Sequence, residues 1–427
     1  MRGKRVHSGA AHDFNLTWGS LMPSENTNIA NQSRREMFRL AGAGIGVAAL
    51  SASGLVRAQL PEEANTEALE IVRKGIDKHI RVYNVDLLEA EAKKKYSEGV
   101  YVFVANGSGE QWTLRENRRA FNDYVFTPHR MQGIVRDKID TSVSLLGVKL
   151  PHPIIVTPFG SHGLHHPAGE VATAQGAAKS GALLTVSSAS TRSMEVIAKA
   201  SKDPKWFQMY LNVDEGLSRE VLQRAKAAGY HAIVLTIDAI GQGSSDEYER
   251  LGKPRPWLPY GNFKTGSANA FKTNLSWNDV EFIRKITGLP VIVKGITRAE
   301  DAVAGVKAGA AAIQVSNHGG RALDGTPAAI TALPRVADAL QGDVPIIMDS
   351  GIRRGTDVVK ALALGANAVA IGRPLMYGLT VGGAGGVNGV LEYFQRELAN
   401  TMLHCGVNNV AALGREHVAP SATSRAA

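Results

Sequence analysis

The chain has 427 residues, of which 44% are hydrophobic and 20% charged, and its formal charge at pH 7 is +9. These proportions are typical of a folded globular protein with an ample core. Seven basic and three acidic residues fall within 1–58, and the other basic residues are scattered rather than clustered with aromatic residues, which argues against nucleic-acid binding. The single cysteine, Cys405, excludes intramolecular disulfides and thiolate metal clusters.

Residues 33–58 have the order of an export signal. Two arginines, Arg34 and Arg35, precede an uncharged stretch over 40–56, and small residues suited to signal peptidase follow just before Gln59. This order predicts a cleaved signal peptide, and the arginine pair favours export of the folded protein to the periplasm by the twin-arginine machinery. The alternative is an uncleaved membrane anchor, although the stretch is short and weakly apolar for a membrane span.

The residues beyond this signal are expected to form one domain. Residues 1–21 are predicted to be disordered, and Met22 is a candidate start of translation. We therefore place residues 1–58 outside the fold and residues 59–427 in a single domain, which begins with a helical lead-in over about 64–98.

After the lead-in, short apolar runs of strand length alternate with longer amphipathic stretches. The runs are rich in Val and Ile without polar alternation, as expected for parallel strands that are buried on both faces. Eight such pairs in about 250 residues predict a (β/α)8 barrel, and a doubly wound open sheet is the alternative. The runs cover 154–159, 182–187, 206–211, 232–238, 290–294, 312–317, 345–349 and 368–372.

Amphipathic helical patterns lie between the runs, and several end at a glycine suited to a left-handed cap. The rhythm is interrupted after the fourth run by a polar segment, 239–276, which is punctuated by Gly and Pro. An insertion at that place is expected to form a lid over the mouth of the barrel. The helical patterns cover 215–228, 277–287, 298–307 and 355–364, and the capping glycines are Gly229, Gly288, Gly309 and Gly365.

Polar or ionisable residues stand at the ends of six of the eight runs, where barrel enzymes place their active sites. His318 is the only histidine among them, and with Asp238 as its partner it is a candidate general base. Arg321 offers a fork that suits a carboxylate, and Lys294 is expected to face an anion. The residues at the run ends are Gln208, Tyr210, Thr236, Asp238, Lys294, Ser316, Asn317, His318, Asp349, Gly372 and Arg373.

Two turns that contain glycine and arginine follow the last two runs. Their positions, 351–355 and 372–374, are those of the phosphate cradle in barrel enzymes. Two tight turns with solvated arginines are the alternative. A phosphate site beside an acid–base site predicts a phosphorylated cofactor or substrate.

Two further groups of residues are interpreted as structural. The histidines fit no common zinc arrangement and have no carboxylate companion, so no metal is expected. The tryptophans are expected in the core. The histidines are His162, His165 and His166, and the tryptophans are Trp112, Trp206 and Trp277.

Four segments resemble the FMN-dependent 2-hydroxy-acid oxidase and dehydrogenase family: 108–113, 293–295, 315–321 and 349–355. The likeness covers about residues 65–415, and its Ser-Asn-His-Gly-Gly-Arg stretch is highly specific in a barrel of this size. The resemblance implies FMN as the cofactor and a homotetramer as the assembly. It also implies the site roles, with the catalytic base His318 paired with Asp238, the substrate hydroxyl on Tyr210 and the substrate carboxylate on Arg321.

The same resemblance implies which residues hold FMN. Lys294 would lie at the pyrimidine edge of the flavin, where its charge stabilises negative charge on the ring. The other implied ring contacts are Ser187, Gln208 and Thr236, the implied phosphate contacts are Asp349, Arg353, Gly372 and Arg373, and the remaining cofactor residues are Thr157, Pro158, Gly160, Ser316 and Gly351.

Four positions depart from the family pattern. The family usually has a tyrosine where Phe103 stands and an arginine where Ser245 stands. It has a bulky aromatic residue in place of Ala189 and an alanine in place of Gly160. Losing a hydroxyl donor and a cation weakens anion binding. Together the departures predict a wider and less cationic substrate pocket, with Phe103, Ala189 and Ser245 as substrate-contacting positions.

The first functional expectation is FMN-dependent oxidation of a 2-hydroxy acid, or of a related larger alcohol, to the oxo product. Electrons would then pass to oxygen, a quinone or a separate cytochrome. Gly160 also fits a lactate-monooxygenase-like enzyme that decarboxylates its product, whereas Phe103 and Ser245 leave open a flavin-binding protein that lacks the parent activity. The last alternative is a barrel isomerase or nucleotide dehydrogenase that uses only the phosphate site. The nucleotide enzymes need a loop thiol, but Cys405 lies in the last predicted helix.

Overall fold

The computed structural model describes residues 76–241, 243–263 and 270–422, so the predicted signal at 33–58 and Met22 lie outside the described residues. Within those ranges the strands are short, from three to six residues. In chain order they are β1 (Tyr124–Phe126), β2 (Val143–Leu145), β3 (Val148–Leu150), β4 (Ile154–Val156), β5 (Leu184–Ser187), β6 (Lys205–Met209), β7 (Ala232–Thr236), β8 (Val291–Ile296), β9 (Ala312–Val315), β10 (Ile346–Met348), β11 (Ala368–Ile371) and β12 (Val418–Pro420).

Strands β4 to β11 close into a parallel barrel whose order follows the chain. The barrel closes where Val369 of β11 pairs with Ile154 of β4. Almost every residue of these strands is buried, because one face of each strand packs inside the barrel and the other packs on helices. The structure confirms the predicted (β/α)8 barrel and excludes the open sheet.

Polar residues lie just beyond the strands rather than within them. The predicted run 232–238 corresponds to β7, which ends at Thr236 and leaves Asp238 in the following turn. In the same way β9 ends at Val315, three residues before His318. Because the strands end before Asp238 and His318, the backbone there can turn both side chains toward the mouth of the barrel.

The predicted helical patterns agree with observed helices to within one residue, and all four predicted capping glycines have positive φ. None of the helices in the described ranges has the length and apolar character needed to span a bilayer. The helices are α1 (Val85–Lys93), α2 (Glu98–Ala105), α3 (Trp112–Arg119), α4 (Glu170–Ser180), α5 (Met194–Lys199), α6 (Glu215–Ala227), α7 (Asp246–Arg250), α8 (Asn278–Thr287), α9 (Ala299–Lys307), α10 (Ala329–Leu340), α11 (Gly355–Ala363) and α12 (Arg373–Cys405).

Two apolar clusters hold the barrel together. The larger packs the outer strand faces against the helices, and the smaller fills the barrel interior and includes the hairpin of β2 and β3. Trp206 lies fully buried in the interior and Trp277 packs half-buried against the outer cluster, as predicted. The prediction for Trp112 is wrong, because 47% of its surface is exposed. Its backbone N–H donates to Asp324 Oδ2 at 3.1 Å, which fixes the start of α3 with the indole directed outward.

The helical lead-in predicted over about 64–98 is wrong in part of its described range. Residues 76–84 are not helical, and α1 begins only at Val85. Asn84 caps it by accepting hydrogen bonds from the N–H groups of Asp86 and Leu87 at 2.6 and 3.3 Å. The preceding segment instead lies along α12, where Lys78 N–H donates to the Gly382 carbonyl at 3.0 Å.

The contact between this segment and α12 predicts a stability effect. In Gly389→Ala the new Cβ would lie 2.1 Å from the Ile80 carbonyl oxygen, so the backbone must move apart. Overpacking of this kind costs about 1–3 kcal/mol in free energy of unfolding, which urea unfolding of the FMN-loaded protein would measure. The matched control is Gly216→Ala in α6, where a Cβ meets only Asp214 Oδ1 at 3.1 Å and should be neutral or slightly stabilising. Equal stability of the two variants would contradict the packing argument.

Candidate active site

The carboxyl ends of the barrel strands surround a cavity of about 630 Å³. The structure brings most of the predicted site residues to its wall. Those predicted for the substrate are Phe103, Ala189, Tyr210, His318 and Arg321, and those predicted for the cofactor are Thr157, Pro158, Gly160, Ser187, Lys294, Asp349, Gly351, Arg353, Gly372 and Arg373.

The centre of this wall is a histidine–carboxylate pair. His318 Nδ1 lies 2.8 Å from Asp238 Oδ1, and the two side chains are 23% and 13% exposed. A carboxylate accepts hydrogen bonds, so Nδ1 carries the proton and Nε2 keeps its lone pair. His318 Nε2 lies 3.4 Å from the Tyr210 hydroxyl. The imidazole is therefore held in the tautomer that a general base requires, with its basic nitrogen beside a polar group of the cavity.

The backbone at His318 has an uncommon conformation for a residue with a side chain. Its φ is +60°, and the two glycines that follow also have positive φ. Ser316 Oγ stabilises this turn by accepting from His318 N–H at 3.0 Å while donating to Asp349 Oδ1 at 2.8 Å. Ser316 is fully buried and positions the histidine, and its contact with the cofactor stays a prediction.

Lys294 gives Asp238 a second positive neighbour. Its Nζ lies 3.9 Å from Asp238 Oδ2, and only 4% of the lysine side chain is exposed. Burial raises the pKa of the Asp238 carboxyl, but Lys294 and His318 outweigh burial and leave that pKa below its ordinary value. Gly295 permits this approach, because a Cβ there would lie 2.7 Å from Asp238 Cβ. Asp238 thus stays ionised at neutral pH and can balance a positive imidazolium.

The end of helix α2 holds two arginines in the cavity wall. Arg321 Nη1 donates to the carbonyls of Phe103 and Asn106 at 2.7 and 3.0 Å. Arg373 donates to Val104 and Asn106 at 3.0 and 2.8 Å. Carbonyls at a helix carboxyl end carry partial negative charge, which favours cations there. The Arg321 guanidinium also lies 5.0 Å from the centre of the Phe103 ring, so Phe103 orients the arginine through its ring and its carbonyl.

The turns after β10 and β11 place the partly buried Arg353 near the buried Arg373. Burial and the nearby Arg321 charge lower the pKa of Arg373 to about 9, with Arg353 adding to the shift. Burial also lowers the pKa of Arg353. Gly351 lets these turns pack closely, because a Cβ there would lie 2.0 Å from the Asn117 carbonyl oxygen. A concentration of buried positive charge is stable only with an anion beside it, and a phosphate has the required charge and acceptors.

Several buried donors near the strand ends have no hydrogen-bond partner among the described residues. Ser187 Oγ donates to Gln208 Oε1 at 2.8 Å, which leaves the Gln208 amide N–H₂ free to donate elsewhere. Thr236 pairs in register with Lys294 on the neighbouring strand. A flavin pyrimidine ring offers carbonyl and nitrogen acceptors, and FMN adds a phosphate, so these residues fit FMN. The unpartnered atoms are Gln208 Nε2, Thr236 Oγ1, Lys294 Nζ and Arg353 Nε.

Gly160 and Ala189 face each other on the cavity wall. A Cβ at position 160 would lie 3.3 Å from the Ala189 Cβ. The two small residues therefore leave room in the cavity that larger residues at these positions would fill.

Ser245 is not on the cavity wall, which contradicts its predicted contact with substrate. It is 2% exposed, and its Oγ caps α7 by accepting from Tyr248 N–H at 3.0 Å. The same oxygen accepts from Asn106 Nδ2 at 3.1 Å. The preceding backbone turns this side chain toward α2 instead of toward the cavity.

The sequence reasoning missed the side chains that the insertion contributes. Arg255, Trp257, Tyr260 and Phe271 all line the cavity, and the Phe271 ring lies 4.9 Å from the Tyr210 ring. The prediction of a less cationic pocket did not include Arg255. The available signal was the composition of 254–263, Pro-Arg-Pro-Trp-Leu-Pro-Tyr-Gly-Asn-Phe, which is too aromatic for a solvated loop.

The three clustered histidines are buried beside α4. His162 Nδ1 lies 2.9 Å from Thr173 Oγ1, and His165 contacts the Tyr96 hydroxyl. Burial lowers the pKa of each of the three, so they pack as neutral side chains. Within the described ranges no group of three or more potential ligands is arranged to hold a metal.

Comparison with known proteins gives a consistent result. A family model described as FMN-dependent dehydrogenase matches residues 92–420. Glycolate oxidase from Spinacia oleracea is 40% identical over 358 residues, which cover 80% of this chain and 96% of that protein. L-lactate oxidase from Lactobacillus jensenii is 42% identical over 345 residues, which cover 78% of this chain and 84% of that protein.

Solved structures agree in fold. The crystal structure of a lactate oxidase from Pediococcus acidilactici superposes with a TM-score of 0.78 at 38% identity, covering 81% of this chain and 97% of that chain. Mandelate oxidase with (S)-2-phenylpropionate superposes with a TM-score of 0.74 at 35% identity, covering 80% and 99%. The residues matched by the family model, 92–420, include the barrel strands and the residues that line the cavity. The chain belongs to the FMN-dependent dehydrogenase family and is a flavin-dependent oxidoreductase.

Proposed function

We propose that this protein oxidises the hydroxyl-bearing carbon of a 2-hydroxy acid to the 2-oxo acid and passes the electrons to oxygen. The observation that carries the proposal is the placement of His318 Nε2, oriented by Asp238 and lying beside Tyr210 in the cavity that Arg321 also lines. Glycolate, lactate and mandelate, the compounds that appear in the relatives' names, are all 2-hydroxy acids. Family membership removes the flavin-free isomerase alternative.

Different residues of the chain bind the substrate, take up its proton and stabilise the resulting charge. Arg321 binds the carboxylate, and the Tyr210 hydroxyl bonds the substrate hydroxyl, so the substrate is oriented before reaction. His318 Nε2 accepts a proton from the substrate. Asp238 then stabilises the imidazolium through the 2.8 Å hydrogen bond to Nδ1. Bound FMN supplies the two-electron acceptor.

Burial keeps Tyr210 in its neutral form. Its pKa is raised by burial and by the nearby Asp238 carboxylate, so the hydroxyl remains protonated throughout the neutral range. A protonated phenol can donate to a substrate oxygen and cannot compete with His318 for the proton. The site therefore has one base and one donor with separate roles.

Oxygen as the electron acceptor is supported by the relatives' description as oxidases. The test is simultaneous measurement of oxygen uptake, hydrogen peroxide and carbon dioxide with a panel of 2-hydroxy acids from glycolate to mandelate. One peroxide per oxygen consumed, without carbon dioxide, is the expected result. Carbon dioxide release would establish the decarboxylating alternative, and turnover only with a quinone or a cytochrome would assign a different acceptor.

Removing the base should abolish turnover while leaving the cofactor bound. In His318→Gln the side chain can fill the space but cannot take up the proton, so kcat should fall about 10²–10⁴-fold. Steady-state kinetics and the flavin absorbance of the purified protein measure the two quantities. His404→Gln, at an exposed position near the end of α12, is the matched control. Full activity in His318→Gln would contradict the assignment of His318 as the general base.

We further propose that the protein is exported folded to the periplasm and assembles as a homotetramer. The arginine pair and the uncharged stretch within 33–58 support the export route. Replacing both Arg34 and Arg35 with lysine should retain the flavin-loaded protein in the cytoplasm, as cell fractionation would show. Unchanged export of the double variant would contradict the twin-arginine route, and sedimentation of the native protein tests the tetramer.

A further inference from the structure

The first half of the insertion is attached to helix α2. Asn106 Nδ2 donates to Ser245 Oγ at 3.1 Å and to Glu247 Oε2 at 2.8 Å. The Tyr248 ring lies 6.1 Å from the Phe103 ring in an edge-on arrangement. Helix α7 is thereby fixed beside the same helix end that orients Arg321.

Helix α7 in turn places the residues that follow it. Tyr248 is only 4% exposed, and its hydroxyl donates to the Pro254 carbonyl at 2.7 Å. Arg255 follows directly and lies between two prolines, Pro254 and Pro256, which restrict its backbone. Its side chain reaches the cavity wall. The position of Arg255 is therefore set by the folded insertion.

Arg255 has only a weak protein partner in the described part of the chain. Its Nη2 lies 3.7 Å from Glu249 Oε1, and the two side chains are 33% and 66% exposed. A long ion pair at that exposure contributes little and does not hold the arginine in place. Arg255 is thus available to a second anion on the cavity side.

Arg255 shares the cavity with Arg321, and their charges repel. Arg321 is partly buried, and Arg255 adds to the effect of burial in lowering the Arg321 pKa. The nearby carboxylates are already engaged, since Asp238 bonds His318 and Asp349 accepts from Gln314 and Ser316. The carboxylate that lines the cavity in the described ranges, Asp349, is thus bound to other residues, and the two arginines are arranged for an incoming anion.

We propose that Arg255 is a substrate-binding residue that holds the carboxylate of the 2-hydroxy acid together with Arg321. Arg321, after β9 of the barrel, and Arg255, in the insertion, would both bind the carboxylate. The inference rests on the proposed function and deepens it, because a site with two cations selects an acid over an uncharged alcohol.

The test is calorimetric titration of the FMN-loaded protein with oxalate, an unreactive dicarboxylate. Arg255→Met should weaken oxalate binding and raise KM for the acid about 10- to 100-fold, as expected for loss of a charged hydrogen bond. Flavin content should be unchanged and kcat much less affected than KM. Arg255→Lys, which retains the charge, should recover part of the affinity.

Two control variants separate substrate binding from a structural role. Arg250→Met removes an exposed arginine of α7 and should change neither affinity nor KM. Glu249→Gln breaks the ion pair of Arg255 and leaves the arginine present, so oxalate affinity should be retained or increased. If Glu249→Gln weakens oxalate as much as Arg255→Met does, Arg255 acts by holding the insertion and the proposal is wrong.

The outcomes also distinguish this proposal from the proposed function. Turnover of 2-hydroxy acids with oxalate affinity and KM unaltered in Arg255→Met would overturn the inference alone. Oxalate binding that depends on Arg255, with no 2-hydroxy acid turned over, would support the anion site and overturn the proposed function. Absence of oxalate binding to the parent protein would overturn the inference outright.

Discussion

The hydrogen bond between His318 and Asp238 joins two strand ends that are 80 residues apart in the sequence. Both residues lie in turns just after parallel strands, and the pairing of β7 and β9 on either side of β8 brings them within 2.8 Å. Three neighbouring residues make this hydrogen bond possible. Gly295 leaves space for the carboxylate, and Ser316 stabilises the left-handed backbone at His318. Lys294 keeps the carboxylate ionised, so the partly buried pair retains the charge that proton transfer requires.

The second constraint is the amount of positive charge near the barrel mouth. Arg373 is buried and Arg321 is partly buried, and both donate to carbonyls at the end of α2. Desolvated cations are costly unless anions balance them, and the backbone carbonyls meet only part of that need. In the proposed function, the cofactor phosphate and the substrate carboxylate would supply the rest. Binding of both anions is therefore coupled to the stability of the site, and Arg255 adds a further positive charge, contributed by the insertion, to the same cavity.

Much of the fold was predictable because its signals are local. Buried parallel strands read as apolar runs, and the rule that barrel sites lie at strand ends selected His318, Asp238 and Lys294. The errors concern tertiary placement. Whether Trp112 faces the core depends on how α3 docks, and whether Ser245 faces substrate depends on the turn before α7. Arg255 lies 66 residues before Arg321 in the sequence, and nothing local indicates that the insertion brings them to one cavity.

The most direct test of the central claim is the absorption spectrum of the FMN-loaded protein, followed without oxygen as 2-hydroxy acids from glycolate to mandelate are added. The account predicts that at least one of them bleaches the flavin band, and that the same acid leaves the band of His318→Gln unchanged over the same time. A flavin band that no member of the panel bleaches would contradict the account, as would equal bleaching of the parent and the variant.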